Sequence, residues 1–174
     1  PWKDFLDRKK RATDVVRIGL VGKYVELQDA YKSIDESLLI TSIYNDRKLD
    51  LRLIHSEKIN DANAAELLAD LDGVVIAPGF GQRGVEGKFA ALRYLREHDI
   101  PTLGICLGMQ CMVIEFARDV LGLEGANSTE MDPQTPYPVI DLMEDQKNVV
   151  NMGGTMRLGT YDCTLRPGSH ICAA

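Results

Sequence analysis

Apolar residues in this chain come in short solid blocks, separated by stretches in which they recur at helical spacing. Val15–Val21 (Val-Val-Arg-Ile-Gly-Leu-Val) is the first block; closed by Gly22, it predicts a buried strand. Asp29–Tyr44 predicts a helix with Ile34, Leu38, Leu39 and Ile43 on one face, and Leu49–Ile54 a second strand. Asp61 can cap a helix running through Leu71, and Gly73–Ala77 reads as a third strand that stops at Pro78. Glu86–His98, Thr102–Ile105 and Leu107–Leu121 complete the pattern as helix, strand and helix. Such alternation predicts an α/β protein: a three-layer α/β/α sandwich around a mainly parallel central sheet. Ligand sites in these sheets lie beyond the carboxyl ends of the strands. That rule gathers Gly22-Lys23, His55, Pro78–Gly84 and Cys106 on one edge. After Gly122 the texture changes. Pro133, Pro136 and Pro138 cluster, and Val139–Met143 and Thr160–Leu165 predict short antiparallel strands around a loop at Asn148–Gly159. Residues 1–14 are polar and charged apart from Trp2 and Phe5, and read as a linker.

The densest chemistry sits at Pro101-Thr-Leu-Gly-Ile-Cys106-Leu-Gly-Met-Gln110. A strand runs into a cysteine with Gly104 and Gly108 two residues away on either side, and a helix begins at once. This is the sulfur counterpart of the Gly-x-Ser-x-Gly nucleophile elbow, whose sharp turn needs neighbours without side chains. The helix start supplies a dipole and free N–H groups that favour a thiolate and can bind an oxyanion. A buried cysteine ending a core strand fits the motif alone equally well. A second glycine-rich turn, Pro78-Gly-Phe-Gly-Gln-Arg-Gly84, follows the third strand and lacks the Walker pattern for phosphate. It is better paired with Cys106. An acyl-transfer site needs two N–H donors on one oxygen, here Leu107 and either Gly79 or Phe80.

Composition narrows the classes. The chain has 174 residues, 45% hydrophobic and 26% charged, with net charge −6. The short cluster Arg8–Arg11 suits a solvated linker better than a nucleic-acid arm, and no apolar run has the length of a membrane span. Cys106, Cys111, Cys163 and Cys172 show no C-x-x-C spacing, which argues against zinc and for reduced thiols in the cytoplasm.

With these pieces in place, the chain resembles the class I glutamine amidotransferase family and its flavodoxin-like glutaminase fold. Gly19–Ser33 with Glu36-Ser-Leu, Pro78–Lys88, Gly104–Gln110, Asn127–Glu130 and Gly153–Gly159 carry the likeness, which extends over nearly the whole chain from Ile18. The resemblance implies that Cys106 is the nucleophile forming a γ-glutamyl thioester, with Gly79 and Leu107 as oxyanion contacts. It implies that Phe80, Gly108, Met109, Gln110 and Glu130 line an L-glutamine pocket, Glu130 facing the α-ammonium. The Gly153–Gly159 block corresponds to a mobile loop serving GTP activation and ammonia passage. The blocks are most similar to members whose ammonia feeds a synthetase domain that turns UTP into CTP with ATP and Mg²⁺, with GTP as activator, in pyrimidine nucleotide biosynthesis. Such parents are homotetrameric ligases, and a fragment would be a monomer with no cofactor of its own, no metal, no nucleic acid and no membrane contact. Residues 1–14 then correspond to an interdomain linker remnant and 15–174 to the amidotransferase domain.

The family's downstream His-x-Glu is not found after Cys106, where His170 is the only histidine, nor is its arginine-rich block. The expectation is therefore a domain lacking its C-terminal part and, by itself, little or no turnover. His55-Ser-Glu57 is a His-x-Glu on the proper sheet edge but precedes the nucleophile; an exposed strand-end histidine is the plainer reading. A non-catalytic flavodoxin-like binding module with an inert Cys106 is the alternative.

Overall fold

A computed structural model describes residues 1–27, 29–143, 146, 160 and 162–173. The chain divides into two units, Pro1–Asp141 and Leu142–Ala174. In the first, β1 (Val15–Gly22), β2 (Lys48–His55), β3 (Gly73–Ile76) and β4 (Thr102–Gly104) form one sheet in the order β2-β1-β3-β4. Every pairing is parallel. The intervening helices are α2 (Lys32–Tyr44), α3 (Ala64–Leu68) and α4 (Val85–Glu97), and α5 (Leu107–Asp119) follows β4.

Side-chain alternation along the strands builds the two interfaces. Val21, Val74 and Ile76 point into a core shared with Leu68, Phe89, Leu92, Leu95, Leu107 and Ile114 from α3, α4 and α5. Leu20, Val75 and Ala77 face the other way and pack with Ile34 and Leu38 of α2. Period-two residues thus serve opposite faces of one sheet, as a doubly covered parallel sheet requires. Every β1, β2, β3 and β4 terminus then falls on one edge, at Gly22, His55, Ile76 and Gly104, where the sequence placed the site. Helix α3 is shorter than the expected Asp61–Leu71. Residues ahead of it are held in turns instead, Asn60 Oδ1 accepting from the Ala62 and Asn63 amides.

Three expectations change. The leading segment contains a helix, α1 (Trp2–Arg11), with no buried residue. Phe5 contacts the Tyr44 ring, and Arg8 and Arg11 pair with Asp46. The strand at 139–143 is instead β6 (Pro138–Ile140), paired in parallel with β5 (Asn127–Ser128). Pro133 and Pro136 in the connection cannot supply the N–H groups of a tight hairpin. In the second unit, Thr160 and Asp162–Leu165 are not strand, and a short helix is described at His170–Ala173. The whole expected loop Asn148–Gly159, with the Gly153–Gly159 block, lies outside the described residues. Among the described residues no helix is long and apolar enough to cross a membrane, and no cluster of His, Cys, Asp and Glu is arranged to hold a metal ion.

Candidate active site

Two adjacent strand-to-helix turns make the site. At the first, the β3–β4 ladder is extended by the Ile105 amide donating to the Ile76 carbonyl at 3.1 Å. The chain then reverses at Cys106, with φ 54° and ψ −111°. That left-handed backbone is a strained one for a residue bearing a side chain. The turn closes with the Gly108 amide on Ile105 O at 2.9 Å and the Gln110 amide on Cys106 O at 3.1 Å. Sterics leave no choice about the flanking glycines. A Cβ on Gly108 would lie 2.1 Å from the Ile76 carbonyl oxygen, and one on Gly104 would lie 2.6 Å from the Met109 nitrogen. The outcome is an exposed Cys106 at the N-terminus of a 13-residue helix. Leu107 is the first residue of that helix, where the N–H has no intrahelical acceptor. Among the described residues it has no other partner.

The second turn leaves β3 at Ala77, whose amide donates to Val21 O at 2.9 Å. Pro78 and Gly79 come next; a Cβ on Gly79 would stand 3.7 Å from Leu107 Cδ2, so this turn touches the start of α5. Phe80 is 80% exposed, and Gly81 and Gly84 take φ of 70° and 75° to bring the chain into α4. Neither the Gly79 nor the Phe80 amide has a hydrogen-bond acceptor among the described residues. The structure therefore brings Cys106, Leu107, Gly108, Gly79 and Phe80 to one place. Met109 is exposed and Gln110 half-buried on the first turn of α5. Glu130 is exposed, in a turn where its amide donates to Ser128 Oγ at 3.1 Å. Gln82 Nε2 donates to the Met131 carbonyl, which ties the Glu130 turn to the glycine turn.

The two histidines whose side chains are described are each engaged locally. His55 Nδ1 accepts from the Glu57 amide at 3.3 Å and caps a single 3₁₀ turn, Ser56–Lys58. Glu57 is engaged by Arg83 at 2.7 Å. His98 stacks on Tyr94 at 3.9 Å and bonds the Tyr94 carbonyl at 2.8 Å. Nothing is described of the His170 side chain. An apolar hollow of about 380 Å³ lies farther along α5, lined by Met112, Val113, Phe116, Ala117, Leu121 and Val139. It contains none of the expected glutamine contacts.

Two lysines have contacts at the site that the sequence reading did not assign, although it placed Lys23 on this edge. Lys23, just past β1, is buried, and its Nζ donates to the Phe80 carbonyl. Lys88, in α4, is 1% exposed and donates to the Ala77 carbonyl at 2.7 Å. Burial pushes the Lys88 ammonium below its usual value, opposed by the nearby thiols of Cys111 and Cys106. The signal was available. Lys88 falls on the apolar stripe Val85-Lys88-Phe89-Leu92, a position where a solvated charge does not belong.

An exposed thiol at a helix N-terminus, next to amides without acceptors, is an arrangement that can carry out acyl transfer, here on a doubly covered parallel sheet. The family profile of glutamine amidotransferase class-I matches residues 26–173, and the chain belongs to that family. More particularly, it is similar to CTP synthases. It is 64% identical over 173 residues to that of Porphyromonas gingivalis, covering 99% of this chain and 32% of the relative. Over 174 residues it is 60% identical to that of Bacteroides fragilis, covering 100% and 33%. With the CTP synthase of Shouchella clausii the identity is 52% over 173 residues, or 99% and 32%. The chain thus spans about a third of the length of the curated relatives it matches. Among solved structures it matches the glutaminase domain of Trypanosoma brucei CTPS with bound acivicin. The TM-score is 0.72 at 36% identity, covering 77% of this chain and 52% of that one.

Proposed function

We propose that this chain is a glutaminase unit that releases ammonia from L-glutamine for the synthesis of CTP. The observation that carries the reading is Cys106, exposed and held at a positive φ at the start of α5, next to the Pro78–Phe80 turn, with the Leu107, Gly79 and Phe80 amides lacking acceptors among the described residues. In the reaction the Cys106 thiolate attacks the side-chain amide carbon of glutamine. Negative charge develops on the amide oxygen, which the N–H groups of Leu107 and of Gly79 or Phe80 receive. Collapse expels ammonia and leaves a γ-glutamyl thioester; water then releases glutamate and restores the thiol. Phe80, Gly108, Met109 and Gln110 line the amide end of the substrate, and Glu130 pairs with its α-ammonium. The bound acivicin of the T. brucei domain supports a site of this kind.

Departing ammonia must gain a proton, and the attacking water must lose one. His55 and His98 are committed to local structure and supply neither transfer. Ammonia passes to a synthetase module that converts UTP into CTP with ATP and Mg²⁺, with GTP as activator. Those nucleotides belong to that module and its junction with this one, in a cytoplasmic homotetramer to which this chain by itself contributes a monomer.

The test is a chimera. This chain replaces the matching 173 residues of the P. gingivalis CTP synthase, to which it is 64% identical. Glutamine-dependent CTP formation is expected, with Cys106→Ser abolishing it and sparing CTP formation from added ammonia. A chimera active with ammonia but inert with glutamine, or indifferent to Cys106→Ser, overturns the proposal.

A further inference from the structure

We propose that Lys23 and Lys88 are positioning residues, a two-point clamp that holds the Pro78–Phe80 turn so that its amides face Cys106. The inference deepens the glutaminase reading and rests on it.

Both ammonium groups are spent on backbone carbonyls of the same turn. Lys88 reaches out of α4 to Ala77 O at 2.7 Å, and Lys23 reaches from the end of β1 to Phe80 O. Both side chains are buried, at 1% and 5% exposure. Neither forms an ion pair among the described residues. A lysine without a carboxylate partner is an expensive thing to bury, and here there are two under one turn.

Their placement matters because of where the carbonyls lie. Ala77 O and Phe80 O belong to the peptide planes that flank two others, and those two carry the Gly79 and Phe80 N–H groups. Pro78 has its φ fixed by its ring. With both flanks pinned and that φ locked, the two inner planes lose most of their freedom to rotate. Packing by itself would not achieve this. A Cβ on Gly79 would meet Lys23 Cε at 3.4 Å and Leu107 Cδ2 at 3.7 Å, ordinary contacts, and one on Gly81 would meet nothing within 4 Å. The turn is roomy, so its conformation depends on the two polar pins. Lys23 also lays its stem beside Gly79, Cε standing 3.4 Å from where a Cβ on that residue would be.

The experiment compares Lys23→Met, Lys88→Met and Lys23→Arg with the parent chain by two readouts. The mobility of the Gly79 and Phe80 amides is followed by 15N relaxation NMR. Covalent modification of Cys106 is timed with a glutamine-like diazo-ketone, whose ketone oxygen takes the oxyanion position, and separately with iodoacetamide. In either Met variant, the order parameters of the Gly79 and Phe80 amides should drop from about 0.85 to below about 0.6 while those of Leu20 and Val75 are unchanged. The saturating diazo-ketone rate should fall about tenfold or more, the order expected when an oxyanion donor is misplaced. The half-saturating concentration and the iodoacetamide rate should stay within about twofold, and Lys23→Arg should restore most of the loss. If Lys88→Met does not fold, Lys23→Met decides by the same criteria. Unchanged order parameters, or an unchanged diazo-ketone rate, overturn the clamp. A parent chain that takes up iodoacetamide at Cys106 but not the diazo-ketone overturns the glutaminase reading instead, and the order parameters still judge the clamp.

Discussion

The two turns that build the site are neighbours, and they keep their shape by opposite means. The Cys106 turn is held by exclusion. Its glycines touch backbone on all sides, and a Cβ at Gly108 or Gly104 would fall within 2.1 or 2.6 Å of main-chain atoms. The Gly79 turn is held by attachment, through Lys23 and Lys88, with only ordinary contacts where a Cβ on Gly79 would stand and none within 4 Å at Gly81. A nucleophile must stay in one strained place, and close packing gives that rigidity directly. An oxyanion donor must be aimed while leaving room for substrate, and a hydrogen bond to the carbonyl behind it aims without filling the pocket.

The contrast can be broken by substitution. Gly108→Ala should be the most damaging change, costing about 4 kcal/mol or preventing folding, because the backbone of β3 or α5 has to move. Chemical denaturation checks it. By the same measurement Gly104→Ala should cost about 3 kcal/mol, its neighbour being the α5 backbone itself. Cys106→Gly should raise stability by about 1 kcal/mol by relieving the positive φ, with Cys106→Ala as the neutral control. Gly79→Ala, in the roomy turn, should leave stability within about 0.5 kcal/mol of the parent. A large loss there would mean that this turn too is shaped by packing.

Much of this was legible beforehand. Solid apolar blocks separated by helical spacing marked β1 to β4 and α2, α4 and α5 to within a few residues, because strands covered on both faces must be apolar throughout. Gly104-x-Cys106-x-Gly108 announced its turn, since only residues without side chains fit so close to β3. Helix α1 was missed because it buries no residue, although its basic end, Arg8–Arg11, suits a helix C-terminus. The strand expected at Val139–Met143 was given an antiparallel partner at Thr160–Leu165, whereas β6 pairs in parallel with β5, a long-range fact that local pattern does not carry. Lys23 was placed on the site edge without a role and Lys88 was passed over, because a lysine is assumed solvated; only the tertiary structure places their ammonium groups on carbonyls of another segment.

Two thiols on one helix provide the sharpest test of the whole account. Cys111 lies one turn beyond Cys106, fully buried, and burial pushes its thiol up to about 11, so at pH 8 it remains protonated. The decisive measurement is peptide-resolved mass spectrometry of the chain at pH 8 after exposure to the glutamine-like diazo-ketone, with and without excess L-glutamine. The expected result is one adduct, on Cys106, suppressed by glutamine, with Cys111 untouched. Labelling spread evenly over the exposed Cys106, Cys163 and Cys172 and indifferent to glutamine, or no adduct on Cys106, would contradict a glutamine-directed nucleophile at this elbow.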